Sequence, residues 1–251
     1  MYLCGKKHII VMKLKSILAA LLLLVAGLQT AMAQKMIVTL NDNSKVTYSI
    51  SQVKEVSFVE SDEHEYVDLG LPSGTKWATC NVGASKPEEY GDYFAWGETT
   101  PKSTYDWSTY FDSDDNGSTF KKYNNRGGLT ELQPEDDAAT ANWGSGWRMP
   151  SPDQIKELCN SSYTTTEWTT LNDVYGRKIT SKSNGNSIFL PAAGNRWGDY
   201  LYLAGSYGYY WSSSLSPSYD DRACGVSFGS GDWFWRNYNR DDGLSVRAVC
   251  P

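Results

Sequence analysis

Apolar and polar positions in this chain alternate far more often than they recur at helical spacing. Met36-Ile37-Val38-Thr39-Leu40 is rich in strand formers, Asn41-Asp42-Asn43-Ser44 is a cluster of turn residues, and Lys45-Val46-Thr47-Tyr48-Ser49 returns with period two, which predicts a β-hairpin. Val53, Val56 and Phe58 predict a third short strand. Two or three short strands bury little alone, so residues 34–60 are expected to form a small β appendage. A polar joint, Ser61-Asp62-Glu63-His64-Glu65, then leads into a main domain over 66–251. There, strands are predicted at 187–190, 209–213, 223–228 and 244–249. Helical spacing is clear in one place. Ser151 is a good N-cap, Pro152 suits the first helical position, and Gln154 completes a capping box. Ile155, Leu158 and Cys159 then fall on one face. A shorter helix is predicted at 135–142. Ile155, Leu158, Trp211, Phe228 and Val246 are the expected core.

The first 33 residues follow another pattern. Met12-Lys13-Leu14-Lys15 is basic, an apolar run follows from Ile17 to Leu28, and Ala31-Met32-Ala33 makes a cleavage site. That is the layout of an export signal, so residues 1–33 are expected to be a signal peptide and the protein secreted, periplasmic or on the cell surface. The run is too short to span a membrane, and nothing later is apolar enough to do so. Removing 33 of 251 residues takes away four lysines and no acid, so the net charge moves from −6 to −10. Nucleic-acid binding needs a basic face, and it is excluded as a function.

Candidate chemistry is sparse. Cys80, Cys159, Cys224 and Cys250 follow the leader without metal-ligand spacing, and His64 is the only histidine left to join them. In an exported protein four cysteines suggest two bridges, with three pairings open. Asp112, Asp114 and Asn116, with Gly117, match the first half of a calcium loop, but Tyr123 stands where a bidentate Glu is needed. No cofactor is expected, and these three residues are the only candidates for a weakly held structural calcium. The acidic pairs Asp136-Asp137, Asp220-Asp221 and Asp241-Asp242 would serve a glycosidase in a cleft, but adjacent acids on polar loops read as solvated surface.

The segment 195–242 stands out: 13 of its 48 residues are aromatic, about twice the 14% of the whole chain. Aromatics among small polar residues are the chemistry of binding surfaces, because Tyr and Trp give large contact area with few rotatable bonds. Tyr210, Trp211 and Phe228 lie in strand patterns and read as core. Trp233-Phe234-Trp235 is too continuous for both faces of a strand to be buried, and it reads as an exposed loop. The expected ligand-binding residues are Trp197, Tyr200, Tyr219, Asp220, Asp232, Trp233, Trp235, Asn237 and Tyr238, gathered on one face with Asp199 at its rim.

Several motifs in order carry a resemblance. They are Val67-Asp68-Leu69-Gly70-Leu71-Pro72-Ser73-Gly74 through Asn81-Val82-Gly83, Tyr93-Phe94-Ala95-Trp96-Gly97, Trp147-Arg148-Met149-Pro150-Ser151, Phe189-Leu190-Pro191-Ala192-Ala193-Gly194, Tyr210-Trp211-Ser212-Ser213 and Ser245-Val246-Arg247-Ala248-Val249. Over residues 66–251 this order resembles the Fibrobacter succinogenes major paralogous domain family, exported proteins of gut Bacteroidetes, itself similar to the C-type-lectin-like and formylglycine-generating-enzyme folds. The resemblance implies an α+β, C-type-lectin-like domain, with a mixed, mainly antiparallel sheet, one or two helices and long loops. It also implies a helix-to-last-strand bridge, Cys159–Cys250, which leaves Cys80 with Cys224. The aromatic segment, with Tyr219, Asp220, Asp221, Trp233, Trp235, Asn237, Tyr238, Asn239 and Asp241, also resembles retroelement-diversified lectin-like proteins. The function expected from all of this is recognition of a glycan or protein partner without turnover. The alternatives are an enzyme acting on surface glycans and a purely structural surface protein.

Overall fold

The computed structural model describes residues 35–39, 45–49, 64–113 and 115–251, in two compact units divided after Glu63. In the first unit β1 (Lys35–Thr39) pairs antiparallel with β2 (Lys45–Ser49), which is the expected hairpin. The third strand predicted near Val53, and the leader, lie outside the described residues.

The second unit is mainly β, at 39% strand against 10% helix overall, so its sheets carry the fold. In order they are β3 (Tyr66–Asp68), β4 (Lys76–Ala78), β5 (Tyr93–Phe94), β6 (Thr164–Leu171), β7 (Val174–Ser181), β8 (Ser187–Pro191), β9 (Asn195–Trp197), β10 (Tyr200–Tyr202), β11 (Gly208–Leu215), β12 (Arg222–Phe228), β13 (Trp233–Asn239), β14 (Leu244–Ser245) and β15 (Val249–Cys250). A five-stranded sheet runs β13-β12-β11-β14-β5. Two three-stranded sheets run β15-β4-β3 and β6-β7-β8, and β9 and β10 form a hairpin. Every strand pair here is antiparallel except β11 with β14.

The helix starting after Ser151 forms as expected. In α2 (Pro152–Leu158) both arms of the capping box are made, and Ile155 and Leu158 are buried. Before it, α1 (Ala138–Trp143) is capped by the Asp137 carboxylate, which accepts from the Ala139 and Thr140 amides. The predicted 135–142 helix begins later because Pro134–Asp136 forms a separate 3-10 turn.

β11 and β12 send alternate side chains into two cores. Trp211, Leu215 and Ala223 join Phe94, Trp96, Trp143 and Trp147. Tyr210, Val226 and Phe228 join Ile155, Leu158 and Ile179. All five expected core residues are buried. The motifs converge through polar contacts as well. Trp211 Nε1 donates to Phe94 O at 2.7 Å, and Trp96 Nε1 donates to Ser212 O at 2.9 Å. The fully buried Arg247 donates to Asn81 Oδ1, to the Ala78 and Thr79 carbonyls and to Phe189 O, which satisfies a charge that has no carboxylate partner among the described residues.

Two expectations change. The predicted strand 244–249 is two short strands in different sheets, because the backbone crosses between them: Val82 N donates to Val246 O and Ala78 N to Ala248 O. The long β6–β7 hairpin was not predicted. Its outward face is threonine and charge, so apolar alternation is weak. Its turn, Asn172-Asp173 with φ of 48° and 66°, is the one local signal that marks it.

Candidate functional site

The nine expected binding residues fall in three places. The first is the β9–β10 hairpin. Gly194 allows it: φ is 69°, and a β-carbon there would collide with the Tyr202 carbonyl, so the chain turns tightly into β9. Trp197 and Tyr200 are register partners, so both project on one face. They are 58% and 68% exposed, with Tyr202 6.0 Å from the Trp197 ring and 6.2 Å from Tyr200. Asp199, at the turn, accepts from Thr104 Oγ1 at 2.6 Å.

The second place is β13, and here the expectation is corrected. Trp233-Phe234-Trp235 is not a loop but the start of an edge strand paired with β12 over its full length. Period two then splits the residues. Trp233, Trp235 and Asn237 face one side, and Tyr238 faces the other with Phe234 and Arg236. Trp233 is half-buried against Phe228 at 5.0 Å. Tyr238 packs on Tyr209 and Trp211 at 5.6 and 6.1 Å, and burial pushes its hydroxyl up to about 12. Of the five expected residues here, only Trp235, at 40% exposure, and Asp232 before the strand are exposed; Phe234, at 41%, is exposed on the opposite face.

The third place is the loop between β11 and β12. Tyr219, 52% exposed, and Asp220 line a cavity of about 590 Å3 with Asn125, Arg126 and Phe120. Asp220 Oδ1 accepts from the Asn125 amide and side chain at 2.7 and 2.8 Å. Beneath lies Arg240, fully buried. It donates to Asp112 Oδ2 at 2.5 Å, to Tyr123 O and to Asp220 O, each carbonyl at 2.9 Å, with Phe120 4.3 Å from its guanidinium. Asp112 Oδ1 and Oδ2 also accept from the Lys122 and Tyr123 amides. The Asp112 carboxylate is thus committed to the protein, which corrects the reading of it as a calcium ligand. Asn116 is exposed with φ 57°, a turn residue, and Asp114 lies outside the described residues. No group of three or more metal-ligating side chains lies together among the described residues. No ring contact joins the three places among the described residues.

The acidic pairs are not solvated surface throughout. Asp136 accepts from Lys122 and from the Tyr123 hydroxyl, each at 2.6 Å, and Asp137 is a buried cap. Asp241 is 2% exposed, its Oδ1 without a hydrogen-bond partner, and burial raises it to about 6. Asp242 rises to about 7 through its own burial and the Asp241 charge. Neither lines the cavity at Tyr219.

The four cysteines are free thiols, so neither the Cys159–Cys250 nor the Cys80–Cys224 bridge is formed. Cys159, the C-cap of α2, leans on the core of Ile155 and Leu158, while Cys250 leans on the other core. Cys80 Sγ donates to Ala84 O and Cys224 Sγ to Leu215 O. Burial raises all four thiols, which makes them poor nucleophiles.

One site was missed. Trp168 and Tyr175 of the β6–β7 hairpin, with Tyr207 and Phe234, line a further cavity of about 440 Å3. Trp168 and Tyr175 lie outside the aromatic-dense segment, and only recognition of the hairpin turn would have brought them together. No known family model, curated protein or solved structure matches the chain. No helix of the described residues is long and apolar enough to cross a membrane.

Proposed function

We propose that this is an exported binding protein without turnover, which recognises a glycan or protein partner through aromatic residues of its C-terminal half. In this reading its main domain is C-type-lectin-like and belongs with the major paralogous domain proteins that its motifs resemble. The observation that carries the reading is the paired display of Trp197 and Tyr200, both more than half exposed on one face of a hairpin. Large rings held open to water by a defined backbone cost hydration free energy, and such patches mark interaction sites. Tyr219, Trp235, Asp220 and Asp232 extend the candidate surface. The rim is acidic, which favours neutral or basic partners. A glycan and protein array probed with the folded protein tests this. Binding that Trp197→Ala and Tyr200→Ala abolish at unchanged melting temperature supports it. No ligand of either class, or no bound ligand that depends on either ring, contradicts it.

A second reading, a carboxylate-based hydrolase of surface glycans, draws on Asp241 and Asp242. Burial raises both, as a general acid requires. Release of reducing sugar from a glycan panel, lost on Asp242→Asn, would favour it over binding alone.

A further inference from the structure

The cleft beside the β6–β7 hairpin has a chemistry of its own. Trp168 pairs with Arg177 across the hairpin and Thr170 with Tyr175, so Trp168 and Tyr175 are diagonal neighbours on one face. Their ring planes are 9° apart with centroids at 5.9 Å, a nearly parallel pair. Tyr207 and Phe234 stand on the cavity's other elements. The rest of its lining is Gly205, Ser206, Gly229, Ser230 and Gly231. These residues leave backbone groups and two hydroxyls at the cavity surface, and neither hydroxyl makes a hydrogen bond to the described residues.

Arg177 sets the charge of the cleft by staying out of it. The side chain is 5% exposed. Its Nη2 donates to Gly229 O at 2.7 Å and also to Gly231 O, and its Nη1 donates to Thr166 Oγ1 at 3.0 Å. The guanidinium lies 5.1 Å from the Trp233 ring. Arg177 therefore holds the 229–231 loop as a wall while its charge is spent on carbonyls. No lining residue is charged. An anionic polymer or a charged peptide finds no counter-charge there. Flat ring faces match the C–H face of a sugar ring, and hydroxyls and peptide groups match its hydroxyls. A volume of about 440 Å3 falls at the small end of ligand sites, room for about one or two sugar rings.

We propose that this cleft binds an uncharged glycan, with Trp168 and Tyr175 as the stacking platform and Arg177 as the residue that positions the opposite wall. The proposal rests on the binding reading above but assigns a different site from the β9–β10 hairpin. Titration of the protein with the β-1,4-linked tetrasaccharides of glucose, mannose and xylose and the α-1,4-linked tetrasaccharide of glucose, followed by calorimetry, tests it. At least one should bind, with little dependence on salt. Trp168→Ala and Tyr175→Ala should each weaken it about tenfold or more, the loss of one stacked ring. Tyr175 is 51% exposed, so its variant should keep the wild-type melting temperature and separate binding from folding. Trp197→Ala, titrated alongside, reads the hairpin separately from the cleft. If none of the four binds, or if tetragalacturonate binds in their place, the proposal is overturned. If binding is lost only with Trp197→Ala, the cleft assignment falls and the hairpin reading stands. Loss with the cleft variants alone supports the assignment for this glycan.

Discussion

The β9–β10 hairpin and the edge strand β13 share a composition and differ in what they do with it. Each strings Trp and Tyr among Asn, Asp and Arg. In β13 seven consecutive residues pair with β12, and each face of the strand meets a different core, so one ring from each face is embedded while Phe234 and Trp235 stay exposed. Trp233 goes to Phe228, and Tyr238 goes to Tyr209 and Trp211. The hairpin belongs to no larger sheet, and its paired rings Trp197 and Tyr200 face water. Aromatic density therefore does not separate binding surface from core. What separates Trp233 and Tyr238 from the hairpin rings is a core beside them, since Phe234 and Trp235 of the same paired strand stay exposed.

The largest effect expected is at Arg240, which directly follows β13 and pins the Asp220 carbonyl and Asp112. Arg240→Met leaves a buried carboxylate unpaired and should cost about 3–5 kcal/mol in urea unfolding. A loss under 1 kcal/mol would mean the β11–β12 loop stands without it.

Next is pH. Asp241 and Asp242 connect β13 to Gly243, which pairs with Arg196 of β9, so they join the two regions compared. Both are raised above their ordinary values, so the folded state binds protons that the unfolded state has released. Their contribution is complete below about pH 4 and is lost as pH rises through about 6 to 7. For Asp241 this amounts to about 3 kcal/mol across the window. Asp241→Asn should flatten the fall of melting temperature between pH 5 and 8. An unchanged slope would show that the pair is solvated.

Trp233→Ala comes third, at about 2–3 kcal/mol, below the loss for a fully buried ring because half of it is open. Trp197→Ala should stay within about 0.5 kcal/mol of wild type. Equal losses at the two tryptophans, read from chemical denaturation, would erase the distinction between strand and hairpin.

Much of the scaffold was readable from local chemistry. The capping box after Ser151 and the alternation of 209–213 and 223–228 act within a few positions of themselves, and the motif residues Trp211 and Val246 are buried as expected although their partners Phe94 and Val82 lie far away in sequence. The binding candidates were less readable, because exposure of a ring depends on which strand lies beside it. Trp233 and Tyr238 look like Trp197 in one dimension, and only the β12–β13 register assigns them to opposite faces. Asp112 looked like a calcium ligand until Arg240, 128 residues later, was brought to 2.5 Å from it. Trp168 and Tyr175 were overlooked because their strands carry threonine where alternation would show apolar residues.

In the proposed function displayed rings bind the partner and embedded rings hold the fold. The most direct test is the affinity of the Trp197→Ala protein for an array ligand whose binding Tyr175→Ala leaves intact, with its melting temperature taken on the same sample. The expected result is binding weakened at least about tenfold at wild-type stability, since a displayed ring anchors the complex and not the monomer. Wild-type affinity together with a lowered melting temperature would contradict it, and would make the hairpin rings part of the scaffold.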